Sequence, residues 1–126
     1  MGELIYFEAE ADTEEILKAF RENGACVILN LMNGDLKSRV LDELKPFIES
    51  TPDGRDDFTG KQTGRTGALI ARSAASRELV MDHVITDLAT QFLEPYTDKI
   101  QLHLTQVIDI RPGQGAQPRH RDRLAW

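Results

Sequence analysis

The chain has 126 residues, a formal net charge of -6 at pH 7 and a pI near 5.0. With 40% hydrophobic and 29% charged residues it reads as a single globular domain over residues 1–126, too apolar for general disorder. The acidic balance argues against nucleic acid and anionic membrane as partners, because both need a basic face; the local cluster Arg111, Arg119, Arg121 and Arg123 is diluted by Asp109 and Asp122.

The N-terminal "MGELIYFEAEAD" is acidic where a signal peptide would be basic, and no run approaches the length of a membrane span, so a cytoplasmic location is expected. The first helix is marked by Asp12 as a cap with Glu15 three residues on, by the stripe Ile16, Leu17 and Phe20, and by Gly24 as its stop. "ACVILNL" follows as a short strand, expected to be buried on both faces. It contains the single cysteine, Cys26, which excludes an internal disulfide and reads as a buried structural thiol rather than a nucleophile.

A second helix is expected from Asn33 or Asp35, with Leu36, Val40, Leu41, Leu44, Phe47 and Ile48 at helical spacing and Pro46 kinking or shortening it. "TPDGRDDFTGKQTGRTG" reads as a long surface loop, either mobile or functional. "ALIARS" reads as a short strand, and "AASRELVMDH" and "VITDLATQFLEPY" as two helices, the second ended by Pro95. His83 then falls at a helix end, favourable at the negative pole of the dipole.

"IQLHLTQVIDI" alternates. Ile100, Leu102, Leu104, Gln106, Ile108 and Ile110 share one face, and Gln101, His103, Thr105, Val107 and Asp109 the other. Gln106 on the apolar face must find partners: either backbone or water, or a ligand in a cavity. The order of elements is an α+β pattern, helices first and β-structure beginning near residue 100.

The last stretch, "RPGQGAQPRHRDRLAW", holds His120 and Asp122 two residues apart. In extended chain such residues project to one face, whereas on a helix they diverge by about 160 degrees. Pro118 and the glycines upstream disfavour helix. A neutral imidazole and a carboxylate side by side are two of the three donors of a 2-His-1-carboxylate iron site. Alone, the pair is a weak signal and reads more readily as a surface ion pair.

The segment "QVIDIRPGQGAQPRHRDRLAW" resembles the phytanoyl-CoA dioxygenase family of iron(II)- and 2-oxoglutarate-dependent oxygenases, through Pro112-Gly113, Gln117, His120, Asp122 and Trp126. The order of the upstream elements is also similar, and the likeness is greatest to members in bacterial and fungal small-molecule metabolism. The resemblance implies N-terminal helices packed on the first strands of a double-stranded β-helix, a jelly-roll or cupin-like fold that is incomplete in this chain. It implies His120 and Asp122 as iron ligands, Gln117 as a hydrogen-bond partner of the 2-oxoglutarate carboxylate, and Gln106 beside the co-substrate, with Thr105 on the same strand. Trp126 would shield the site or fill core, and Arg121 would point away. O2 is the second co-substrate, a small molecule the prime substrate, and succinate and CO2 the by-products.

The family also calls for a second histidine well downstream, followed by an arginine that clamps 2-oxoglutarate; here only Arg123 to Trp126 follow Asp122. His83 and His103 lie upstream, with the wrong spacing and direction. The missing donors would come from a longer parent chain, from a second copy of the chain, as a homodimer, or from a partner segment. The alternative reading is an inactive fragment or an interaction module.

Overall fold

The computed structural model describes residues 4–120. It opens with a parallel strand–helix–strand unit: β1 (Ile5–Glu8), α1 (Thr13–Asn23) and β2 (Cys26–Leu29), with Ile5 beside Cys26 and Glu8 beside Leu29. The Asp12 carboxylate accepts the Glu14 N–H at 2.9 Å. Gly24, at φ 79°, closes α1 by donating to the Phe20 carbonyl at 2.8 Å. The expected capping and stop signals both operate. β2 is a strand as expected, but Cys26, Val27 and Ile28 are half-buried and Leu29 is exposed. In place of a doubly covered central strand, β2 pairs among the described residues with β1 alone, in a two-stranded sheet.

α2 (Gly34–Ser50) begins at Asn33, whose side chain accepts the Leu36 N–H at 2.8 Å. It runs through Pro46 to Ser50 rather than stopping there. Pro46 lies on the exposed side, so the carbonyl left without its donor one turn back has access to water. Leu36 and Leu44 face inward; with Ile16, Leu17 and Ala19 of α1 and Ala75 they form the apolar core. Complete burial of a side chain such as Leu44 contributes about 2 kcal/mol. Phe20 meets Phe92 edge-on at 4.9 Å, joining α1 to α5 (His83–Leu93).

Between these helices the chain departs from expectation. "ALIARS" is not a strand: Leu69–Arg72 forms the short helix α3, followed by α4 (Ala74–Val80). The strand is instead β3 (Thr63–Gly67), inside the segment expected to be all loop. It pairs antiparallel with β4 (Gln106–Ile110), from Thr63 beside Ile110 to Gly67 beside Gln106. β4 is therefore shorter than the alternation from Ile100 implies. A strand needs a partner for its N–H groups, and β3 ends at Gly67, where Ala68 takes φ 58° and turns the chain into α3. The Thr105 hydroxyl, just before β4, accepts the Leu69 N–H at 3.1 Å and closes that corner. Helices and two small open sheets make up the described residues, a mixed α and β arrangement. No helix among them is long and apolar enough to cross a membrane.

Candidate functional site

The β3–β4 register sorts the side chains onto two faces. Gly64, Thr66, Val107 and Asp109 share one. Thr66 there is almost fully buried, and its hydroxyl lies 2.8 Å from that of Thr51 at the end of α2. Small residues at 64 and 66 let the helix end sit close to the strand. Thr63, Arg65, Gly67, Gln106, Ile108 and Ile110 share the other face, and it borders a groove of about 290 Å³ lined in part by Arg65, Ile108, Ile110 and Gln117. Arg65 is half-buried, and its Nε donates to the Thr59 carbonyl at 3.0 Å, which steadies the guanidinium at the groove wall.

The far wall is the 51–62 loop, and it is well tied. Gly54 N–H donates to the Thr63 carbonyl at 3.1 Å, and Asp53 bridges to Gly64. The Asp56 carboxylate takes both the N–H (2.6 Å) and the hydroxyl (2.8 Å) of Thr59. These two bonds, the N–H foremost, hold the Asp56 carboxyl below its ordinary range. Gln62 N–H donates to Gln114 at 2.7 Å, and Arg111 N–H to the Gln62 carbonyl at 3.1 Å. Arg111 also pairs with Asp53 and lies 3.6 Å from Asp109, so it is committed within the fold.

Past the Pro112-Gly113 turn the chain comes back along this loop. The Gln117 amide donates to the Phe58 carbonyl. The His120 ring stands edge-on to the Phe58 ring, with centroids 5.1 Å apart. His120 Nδ1 is 2.8 Å from the Pro118 carbonyl. A carbonyl only accepts, so Nδ1 is the donor in this contact. The carboxamide of Gln117 and the guanidinium of Arg65 on one groove with an apolar wall are donors that fit a carboxylate, and the His120 imidazole beside the Phe58 wall is a single metal-type donor.

The expected site residues are thus partly brought together. Gln117 lines the groove and His120 stands beside its Phe58 wall. Gln106 is half-buried on the same face of β4, one pleat beyond Ile108 and past the groove lining. Arg121, Asp122 and Trp126 lie outside the described residues, among which no three His, Cys, Asp or Glu side chains converge as a metal group. Two readings are corrected. His83 is not at the negative end of a helix; it is the first residue of α5, at the positive pole, because Asp82 caps that helix by accepting from Val84 and Ile85. His103 precedes β4 and is exposed, so the face assigned to it by alternation does not apply.

Arg65 and Phe58 were not singled out from sequence. The signal for Arg65 was the small-residue alternation of "TGRTG", in which Gly64 and Thr66 are the buried partners of a strand. A larger cavity of about 500 Å³ between α1, β2 and α5 is lined by aliphatic and aromatic side chains with Cys26. It offers little for acid–base or metal chemistry.

A family model described as phytanoyl-CoA dioxygenase (PhyH) matches residues 20–126. Dioxygenase FrzG of Cladobotryum sp is 32% identical over 90% of this chain and 42% of that protein. Multifunctional dioxygenase ausE of Penicillium brasilianum is 28% identical over 92% of this chain and 40% of its own length. Dioxygenase FUM3 of Gibberella moniliformis is 26% identical over 86% and 40%. The chain therefore spans about two-fifths of the length of these curated relatives. With a family match reaching from α1 to the last residue, the chain belongs to the phytanoyl-CoA dioxygenase family.

Proposed function

We propose that this chain carries the metal- and co-substrate-binding strands of a non-haem iron(II)- and 2-oxoglutarate-dependent dioxygenase, with β3 and β4 as the first strands of a double-stranded β-helix. Relatives named dioxygenases support the reaction class. The observation that carries the reading is the groove in which Gln117 and Arg65 meet the apolar face of Ile108 and Ile110, with His120 beside its Phe58 wall.

His120 through Nε2 and Asp122 through its carboxylate are the iron ligands in this reading. Bound iron supplies the activation of O2 that lets an unactivated carbon of a small-molecule substrate be oxidised as 2-oxoglutarate is converted to succinate and CO2. The chain's own residues do the rest. The Gln117 amide and the Arg65 guanidinium receive carboxylate oxygens of 2-oxoglutarate, Arg65 as the charge-assisted partner. Gln106 extends that polar edge. Ile108 and Ile110 give the groove an apolar wall. A third protein ligand and an arginine that clamps 2-oxoglutarate would complete the site.

The test is an anaerobic titration of the purified chain with iron(II) and 2-oxoglutarate, following the visible charge-transfer band of the chelate. A saturable band that disappears in His120→Ala and weakens in Arg65→Ala is the expected result. A folded chain that gives no band, alone or as a dimer, removes the oxygenase reading from this molecule.

A further inference from the structure

From Arg111 to His120 every residue is exposed except Gln114, which is half-buried. Little apolar burial holds this arm of chain to the 51–62 loop, so polar contacts must do it. Gln114 makes two of them. Its Oε1 accepts the Gln62 N–H at 2.7 Å, and its Nε2 donates to the Gly115 carbonyl at 3.1 Å. Both ends of the amide are in use, which fixes its orientation.

The backbone explains why a side chain is needed there. The β3–β4 ladder continues one step past Thr63 and Ile110, where the Arg111 N–H donates to the Gln62 carbonyl at 3.1 Å. In an antiparallel pair the Gln62 N–H would return a bond to the Arg111 carbonyl. That carbonyl instead accepts the Gln114 N–H at 3.2 Å, closing a turn through Pro112 and through Gly113 at φ 89°. Gln114 Oε1 stands in for the lost ladder acceptor. Two glycines make room for the arrangement. A Cβ at Gly60 would stand 3.2 Å from Gln114 Cδ, and one at Gly113 would stand 3.2 Å from Gln62 Oε1. Each glutamine thus lies against the glycine of the opposite segment.

We propose that Gln114 is a positioning residue: by closing this clasp it sets the 115–120 arm on the loop and holds the Gln117 carboxamide at the groove with Arg65. The inference rests on the reading of that groove as a carboxylate site. Gln117 lies three residues beyond Gln114, and its amide donates to the Phe58 carbonyl of the same loop. Gln114 itself borders the groove, but its amide is committed to Gln62 and Gly115. It therefore acts on a carboxylate ligand through Gln117, whereas Arg65 is held separately by the Thr59 carbonyl.

The experiment is NMR of the chain without metal, titrated with 2-oxoglutarate and read at the side-chain resonances of Arg65 and Gln117. The wild type should show saturable shifts at both. Gln114→Ala should weaken binding about tenfold, the upper end of what one neutral hydrogen bond contributes. Gln114→Met, which keeps reach and bulk without an acceptor, should do the same and serves if the alanine variant fails to fold. The double variant Gln114→Ala with Gln117→Ala should bind no more weakly than Gln117→Ala alone, which a general loosening of the loop would not produce. Before ligand is added, Gln114→Glu should leave the Gln117 amide resonances at their wild-type positions, because its carboxylate still accepts the Gln62 N–H. Affinity unchanged in Gln114→Ala or Gln114→Met, or a double variant weaker than Gln117→Ala by the full single-variant factor, overturns the role. Gln117 resonances displaced as far by Gln114→Glu as by Gln114→Ala overturn it too. A chain in which Gln114→Ala displaces the Gln117 amide, but whose wild type binds no 2-oxoglutarate, overturns the carboxylate reading itself, and the role falls with it.

Discussion

Gly60 holds φ at 89°, a conformation that L side chains rarely adopt, and it is buried under the groove. A Cβ added there would stand 2.3 Å from the Thr63 hydroxyl and 2.7 Å from its Cβ. Backbone strain and collision both oppose a side chain, and Thr63 is itself nearly fully buried, with little room to yield. Gly60→Ala should therefore cost about 1–3 kcal/mol in urea unfolding; an unchanged midpoint would mean that the loop does not hold this turn in solution. The same scale shows what single residues disclose. Asp12, Gly24 and Asn33 act on neighbours within four positions, so their caps are legible from sequence alone. His120 is singled out by its spacing from Asp122, and Gln117 by the family resemblance. Phe58 and Arg65 are singled out by neither, because each gains its meaning from residues brought to it by the β3–β4 pairing.

Elements that obey a local period were readable, and those that depend on a distant partner were not. α1, α2, α4 and α5 follow their apolar spacing and capping residues. β3 is "TGRTG", a sequence with poor strand propensity, and it is a strand because β4 and the chain at Asp53 bond to its two edges. "ALIARS" has the composition of a strand, but with β3 ending at Gly67 it has no ladder to join. The 51–62 loop is held largely by polar contacts and so responds to acid. The Asp56 carboxyl has a folded pKa below its ordinary 3.8, first through the Thr59 N–H and then through the Thr59 hydroxyl. A depressed carboxylate stabilises the fold fully above the unfolded value and loses that contribution as pH falls through the folded one. The Thr59 amide resonance, followed from about pH 6 down to about pH 2, should therefore move with a midpoint below 3.8. Asp56→Asn should abolish the movement. A midpoint at or above the ordinary value would show that the carboxylate makes no such bonds in solution.

At the scale of the whole molecule, stability and chemistry sit in different places. The buried apolar residues lie on α1, α2 and α4, where Ile16, Leu44 and Ala75 are almost completely buried, with α1 packed on α5 and α2 on α4. The β3–β4 sheet turns its small residues toward α2 and leaves its aliphatic face to the groove, where Ile108 and Ile110 are 46% and 66% exposed. An ordinary small sheet would turn these side chains inward, since each fully buried isoleucine contributes about 2 kcal/mol. Here they keep that surface available for a ligand or further strands. The division can be measured by urea unfolding. Leu44→Ala opens a cavity in the core and should cost about 2–5 kcal/mol. The double change Ile108→Thr with Ile110→Thr keeps strand propensity and removes apolar surface that is already largely in water, so it should cost less than about 1 kcal/mol. It should nonetheless weaken the chelate band in the iron and 2-oxoglutarate titration, because the groove loses its apolar wall. If the double variant is as costly as Leu44→Ala, the face is covered in solution, and the groove is core rather than site.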